Sequence, residues 1–122
     1  RATLGRPALV PNGLMRDFCR SHSRGMAAAL VPFGHRGMEA RFDTIARSIP
    51  RGGPVGENVY RGPWSTVEAS AQQAFQAWLN SPPHRANIEN PRYNLTGVGT
   101  ARDSSQRTLW LTQKFMQAAQ IP

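Results

Sequence analysis

The 122-residue chain has a single cysteine, Cys19, and a single lysine, Lys114. One cysteine excludes any intrachain disulfide, and its place in a helical apolar stripe marks it as a buried thiol that packs as a small hydrophobe. Acidic residues are few, seven against fifteen basic, and because fourteen of the fifteen are arginine the net charge is +8 with hardly any lysine. Such a field favours anionic surfaces. No apolar run reaches the roughly 18–20 residues that a membrane-spanning helix needs. The longest, Met26 to Phe33, is rich in alanine and holds a proline. The chain opens at Arg1-Ala2-Thr3 with no basic-then-apolar leader, so the expectation is an export signal already removed or never present.

What the chain does have is an ordinary globular balance, 39% hydrophobic and 18% charged, punctuated by 11 glycines and 10 prolines. Its length fits one domain, which buries roughly two-thirds of the surface exposed by the unfolded chain. Asn12 is a good N-cap, and Leu14, Phe18, His22 and Met26 follow at four-residue spacing with Met15 and Cys19 beside them. This predicts an amphipathic helix that ends before Pro32, with Arg16, Arg20 and Arg24 along its outer side. From Pro32 to Pro63 the pattern is irregular, apart from a short helix around Met38 to Ile45 and an extended segment from Glu57 to Tyr60. Ser65-Thr66-Val67-Glu68 has the form of a capping box, and Val67, Ala71, Phe75, Trp78 and Leu79 give the apolar stripe of a third helix. That helix should stop at Ser81-Pro82-Pro83 and deliver His84 just beyond its end. Leu95 to Ala101 and Thr108 to Phe115 alternate around the polar turn 102–107 and predict an antiparallel hairpin, with Gln117 to Pro122 as a loose tail.

Two loop histidines, His35 and His84, and one carboxylate, Glu57, are the right residue types for a two-histidine, one-carboxylate metal site. Their spacing does not place them on one helix face, so only the fold can bring them together. Each also has an ordinary structural use: Glu57 can anchor loop amides, and His84 can cap the carbonyls at a helix C-terminus. His22, on the apolar side of its helix, reads as a hydrogen-bonded core histidine, and the arginine row as a solvated face. Asn94-Leu95-Thr96 is a glycosylation sequon by chance.

Taken in order, Gly34-His35, Arg41-Phe42, Gly56-Glu57-Asn58-Val59, Trp78-Leu79-Asn80-Ser81-Pro82-Pro83-His84-Arg85, Asn94-Leu95-Thr96-Gly97-Val98-Gly99 and Thr112-Gln113-Lys114-Phe115 resemble the signature segments of the CAP superfamily. This superfamily comprises the cysteine-rich secretory, antigen 5 and pathogenesis-related-1 proteins, also called SCP or PR-1-like domains. The Trp-Leu-Asn-Ser-Pro-Pro-His-Arg segment and the lack of disulfides are similar to the bacterial branch. The resemblance implies an α+β fold, a three-layer α-β-α sandwich around a small, mainly antiparallel sheet, as one domain over residues 1–122. It also implies that the family's first helix is missing, so that truncation or processing upstream is expected. His35, Glu57 and His84 would converge in a central cleft, with Ser81 standing where many eukaryotic members carry a second glutamate. The eukaryotic Gly-His-Phe-Thr signature is absent.

By that resemblance the chain is expected to be a secreted or cell-surface binding domain of the extracellular space or cell envelope. Its cleft would hold a divalent metal, zinc foremost, through His35, His84 and Glu57, and a small or lipidic ligand, with Ser81 at its wall. A metal-dependent hydrolase using Glu57 as general base is the second expectation, weakened because one carboxylate cannot easily serve as both ligand and base. A third is an electrostatic binder of anionic polymers or of an anionic cell-envelope surface. Specific nucleic-acid reading is not expected, since no recognition helix, zinc knuckle or aromatic-rich strand accompanies the arginines.

Overall fold

The computed structural model describes all of residues 1–122. After a 3-10 turn at Ala2–Leu4, the chain runs β1 (Val10–Pro11), α1 (Gly13–Ala27), α2 (Met38–Ala46), β2 (Arg51–Pro63), α3 (Val67–Leu79), α4 (Pro82–Glu89), β3 (Leu95–Arg102) and β4 (Thr108–Ala118). The strands form one sheet in the order β1-β3-β4-β2, with β1 parallel to β3 and the other pairs antiparallel. The fold is the expected α+β arrangement around a mixed, mostly antiparallel sheet.

Asn12 caps α1 as expected, accepting from the Met15 amide at 3.0 Å. The inward row of that helix is Met15, Cys19, His22, Ser23 and Met26. Small residues in the row let the helix sink onto β3, where Gly97 and Gly99 replace side chains with bare backbone. A Cβ on Gly99 would stand 2.1 Å from the Arg20 amide nitrogen. At that range the helix hydroxyl and thiol reach the strand: Ser23 Oγ donates to the Gly99 carbonyl at 2.9 Å, and Cys19 Sγ lies 3.3 Å from the Gly97 carbonyl oxygen. Cys19 is fully buried, and burial pushes its thiol up to about 12. The main core joins Met15, Phe42, Ile45, Ile49, Leu95 and Met116, from α1, the α2 region and the sheet.

Several expectations shift in detail. The extended segment expected at Glu57 to Tyr60 is the middle of a 13-residue strand, because β2 pairs with β4 from Val55 to Pro63 without interruption. Thr66, not Ser65, caps α3, accepting from the Ala69 amide at 3.1 Å. The buried row of α3 is Ser70, Ala74 and Trp78, whereas Val67, Ala71 and Phe75 are exposed. The reason is that α3 docks by donating Trp78 Nε1–H to the Val59 carbonyl at 3.0 Å, which turns the small residues in line with Trp78 toward β2. Beyond Ser81 the chain does not remain extended: Pro82 and Pro83 occupy the first turn of α4, where missing amides cost nothing. Gln117 and Ala118 belong to β4, not to the tail.

Candidate functional site at the edge of β2

Glu57 and Asn58 lie side by side on the edge strand β2 and point to opposite faces of the sheet. Glu57 faces α1 and α2, and its side chain is fully buried. Its Oε1 accepts from His35 Nδ1 at 3.0 Å and from Arg41 Nη2 at 3.0 Å; its Oε2 accepts from Arg41 Nη2 at 2.9 Å and from Lys114 Nζ. Lys114 is the register partner of Glu57 on β4, equally buried, with its ammonium 4.8 Å from the Phe42 ring centroid. Burial alone would raise the Glu57 pKa, but the His35 hydrogen bond and the Lys114 and Arg41 contacts outweigh it and hold the carboxyl at about 2. The carboxylate is therefore a permanent anion with both oxygens engaged.

His35 sits on the loop between α1 and α2. The loop is fixed from behind by His22, whose Nε2–H donates to the Gly34 carbonyl at 2.8 Å. Burial pushes the His22 pKa down, which keeps it a neutral donor, as expected of a core histidine. Gly34, at φ 142°, adopts a backbone that side chains rarely tolerate and so turns His35 back toward β2. With Nδ1 bound to Glu57, the His35 ring presents Nε2 outward, and its side chain is 46% exposed.

Asn58 organises the other face. Its Nδ2 donates to the His84 carbonyl at 2.9 Å, and its Oδ1 accepts from Asn87 Nδ2 at 2.8 Å. These bonds fasten the first turn of α4 to the strand. His84 thus lies at a helix N-terminus, not at a C-terminal cap, and its Nδ1 shares a 2.7 Å hydrogen bond with Ser81 Oγ. Burial, and then the charge of His35, lower the His84 pKa. A neutral imidazole is the form that binds metals.

The four expected residues thus fall into two hydrogen-bonded pairs, His35 with Glu57 and Ser81 with His84. No three His, Cys, Asp or Glu side chains are grouped so as to hold a metal ion. His35, Glu57, Ser81 and His84 line none of the five main surface hollows of 430–620 Å³. Arg41 and Lys114 were not anticipated as partners of Glu57. Their signal was present: Lys114 is the one lysine in an arginine-rich chain, and it shares the inward parity of Thr112 and Met116 on β4.

A mixed sheet between helical layers, with a clamped glutamate on its edge strand and a histidine approaching from either side, defines an SCP-type domain. The family model of the cysteine-rich secretory protein family, CAP, matches residues 1–115, and the chain belongs to that family. It is similar to the Bacillus subtilis protein YkwD, 36% identical over 62 residues, 51% of this chain and 21% of that protein. An extracellular SCP-domain protein of Bacillus anthracis superposes with a TM-score of 0.72 at 24% identity, over 96% of this chain and 36% of that one. A cysteine-rich secretory protein of Staphylococcus aureus gives 0.70 at 18% identity, over 95% and 34%. An outer surface protein of Borrelia burgdorferi gives 0.72 at 16%, over 95% and 83%. The chain is a CAP domain of the bacterial kind, and it spans about a third of the first two of these solved chains.

Proposed function

We propose that the chain is a CAP-type binding domain that works outside the cytoplasm, and that the edge between His35 and His84 takes up a divalent metal, zinc foremost, beside a small or lipidic ligand. The extracellular and outer-surface descriptions of similar proteins support the location. The observation that carries the binding reading is the clamp on Glu57. A carboxylate held at about 2 by Lys114, Arg41 and His35 is a poor proton acceptor near neutral pH, which argues against the hydrolase alternative. The same clamp fits an orienting role: a carboxylate on Nδ1 fixes the tautomer and turns Nε2 outward, as in carboxylate–histidine–metal relays.

In this reading His35 and His84 supply two imidazole nitrogens, Glu57 acts behind His35, and Ser81 steadies His84. A metal bound there would act as a Lewis acid toward a ligand's oxygen or nitrogen atoms. Two protein ligands make a weak, open site, so affinity should be modest and should fall as pH drops through the histidine range. Isothermal titration with zinc at ~pH 7.5 and ~pH 5.5, on wild type, His35→Ala and His84→Ala, tests this. Binding at the higher pH that each substitution abolishes is expected. Equal binding at both pH values, or in both variants, would sink the proposal. Attachment of the exposed Arg16, Arg20 and Arg24 row to anionic polymers of the cell envelope is a further part of the reading, independent of the histidines.

A further inference from the structure

The end of the molecule where α1 stops and the β3–β4 turn begins carries side chains that the histidine edge does not use. Helix α1 terminates in a tight hydrogen-bonded turn: the Ala29 amide donates to the Met26 carbonyl at 3.1 Å, and the Leu30 and Val31 amides donate to the Gly25 carbonyl at 2.9 and 3.3 Å. This is the double bonding of a Schellman ending, which normally puts glycine at the left-handed position and tucks the next residue against the helix. Here the left-handed residue is Ala29, at φ 57°, and the next residue, Leu30, is 82% exposed. A strained alanine thus fixes an aliphatic side chain outward on a turn tied by four hydrogen bonds, counting the Ala28 amide to the Arg24 carbonyl. A mobile loop would not show this bonding.

Aromatic residues and arginines surround the tip. Phe33, 45% exposed, meets Trp110 edge-on at 6.0 Å, and the Arg61 guanidinium lies 5.0 and 5.4 Å from the Phe33 and Trp110 ring centroids. Next to it Arg102 lies 4.4 Å over Trp64. Arg24, Arg36, Arg61, Arg102 and Arg107 are all exposed, and none makes a salt bridge. The carboxylate at this end, Asp103, is occupied within its own turn by the Ser105 hydroxyl and the Arg107 and Thr108 amides.

We propose that this end is a membrane-docking face, in which Leu30 and Phe33 enter the acyl boundary of an anionic lipid bilayer while Arg36, Arg61 and their neighbours contact the headgroup phosphates. Exposed apolar residues beside arginines that make no salt bridge, with Trp64 and Trp110 beneath two of those arginines, match the layered polarity of a lipid interface. A soluble polyanion would engage the arginines equally well, but it offers nothing to an outward-held leucine. The bilayer is the occupant that uses both halves of the face.

The proposal uses side chains other than those of the neighbouring histidine edge, and one experiment distinguishes them. Sedimentation with phosphatidylcholine vesicles, with and without phosphatidylglycerol, is measured for wild type, Leu30→Asn/Phe33→Asn, Arg36→Gln/Arg61→Gln, a distant Arg51→Gln/Arg92→Gln control and His35→Ala. Soluble polyphosphate serves as a parallel probe. Wild type should bind only the anionic vesicles; the apolar double variant should lose at least about tenfold and the arginine double variant roughly 10- to 30-fold. The distant and histidine variants should bind as wild type does. Leu30 and Phe33 are exposed enough for their variants to keep the fold, which thermal unfolding checks. Three results would each overturn the proposal: no vesicle binding by wild type, equal binding to neutral vesicles, or full vesicle binding by the apolar variant, which would leave a charge-only polymer contact.

Discussion

The ionic cluster around Glu57 can be weighed group by group. Lys114 and Glu57 are both fully buried, and such a pair repays its desolvation only where the remaining polar atoms are also satisfied. Glu57 meets that condition with His35 and Arg41, while Arg41 Nε is left without a partner. The two members point to different balances: the Glu57 pKa is depressed, as for a stabilised anion, yet burial lowers the Lys114 pKa despite the glutamate beside it. The glutamate's direction is the safer guide, because three groups converge on it, but the lysine's shift means that the pair is worth less than Glu57 alone implies. Replacing Glu57 by Gln strands the buried Lys114 and the partly buried Arg41 and should cost about 3–5 kcal/mol. The sign with pH follows from a folded value of about 2 against the ordinary 4.5. The Glu57 contribution is complete above the unfolded value and drains away as pH falls through the interval down to about 2. Urea unfolding across that interval should show a loss of stability that the Glu57→Gln variant, already lower, does not repeat. A parallel pH profile in the two proteins would refute the clamp.

Between elements, the decisive contact is α1 on β3, and it explains which parts of the fold the sequence made readable. The four-residue row Leu14, Phe18, His22 and Met26, with Met15 and Cys19 beside it, marked the inward side of α1, because that face meets a sheet in the ordinary way. His22, Met26, Met15 and Cys19 are buried, while Leu14 and Phe18 pack only partly buried at its margin. On α3 the same reasoning chose Val67, Ala71, Phe75, Trp78 and Leu79, of which Trp78 is buried but Val67, Ala71 and Phe75 are exposed, because the helix docks on the strand edge through the Trp78 indole hydrogen bond and small residues. Hydrophobic periodicity finds burial driven by apolar area and misses burial set by a single directed bond. The site divides the same way. Motif resemblance singled out His35, Glu57 and His84 as site residues, whereas Arg41 and Lys114, though they lie in segments that carry the resemblance, were given no part in the site, because a charged residue is by default placed in water. The close approach of α1 to β3 is directly testable. Gly99→Ala would drive a Cβ into the Arg20 and Cys19 backbone, at 2.1 and 2.5 Å, and backbone cannot swing aside as a flexible side chain can. Destabilisation at or above the upper end of the about 1–3 kcal/mol typical of overpacking is expected in chemical denaturation. A neutral result would mean that helix and strand separate freely and that the Ser23 and Cys19 bonds to β3 contribute little.

Across the whole molecule, a charge of +8 on 122 residues is a standing repulsion that the fold must tolerate. Few attractive surface contacts offset it. Of the ion pairs present, only Arg16–Asp17 and Arg85–Glu89 are mainly on the surface, and such pairs are worth about 0–1 kcal/mol each. The strong pairs, Glu57 with Lys114 and Arg41, are buried, where salt screens little. Added sodium chloride should therefore weaken the repulsion among exposed arginines more than it weakens any attraction, and the domain should become more stable as salt rises. A thermal midpoint several degrees higher at ~0.5 M than at ~0.02 M salt, where the screening length falls from tens of ångströms to a few, is the expected reading at neutral pH. The row Arg16, Arg20 and Arg24 supplies the internal control, because Gln keeps a similar helix propensity while removing three charges. The triple Gln variant should start from a higher midpoint in low salt and gain less from added salt. If its salt response equals that of the wild type, the arginines act only locally. If salt lowers the midpoint of the wild type, surface attraction outweighs repulsion and the spare positive charge is not a strain on the fold.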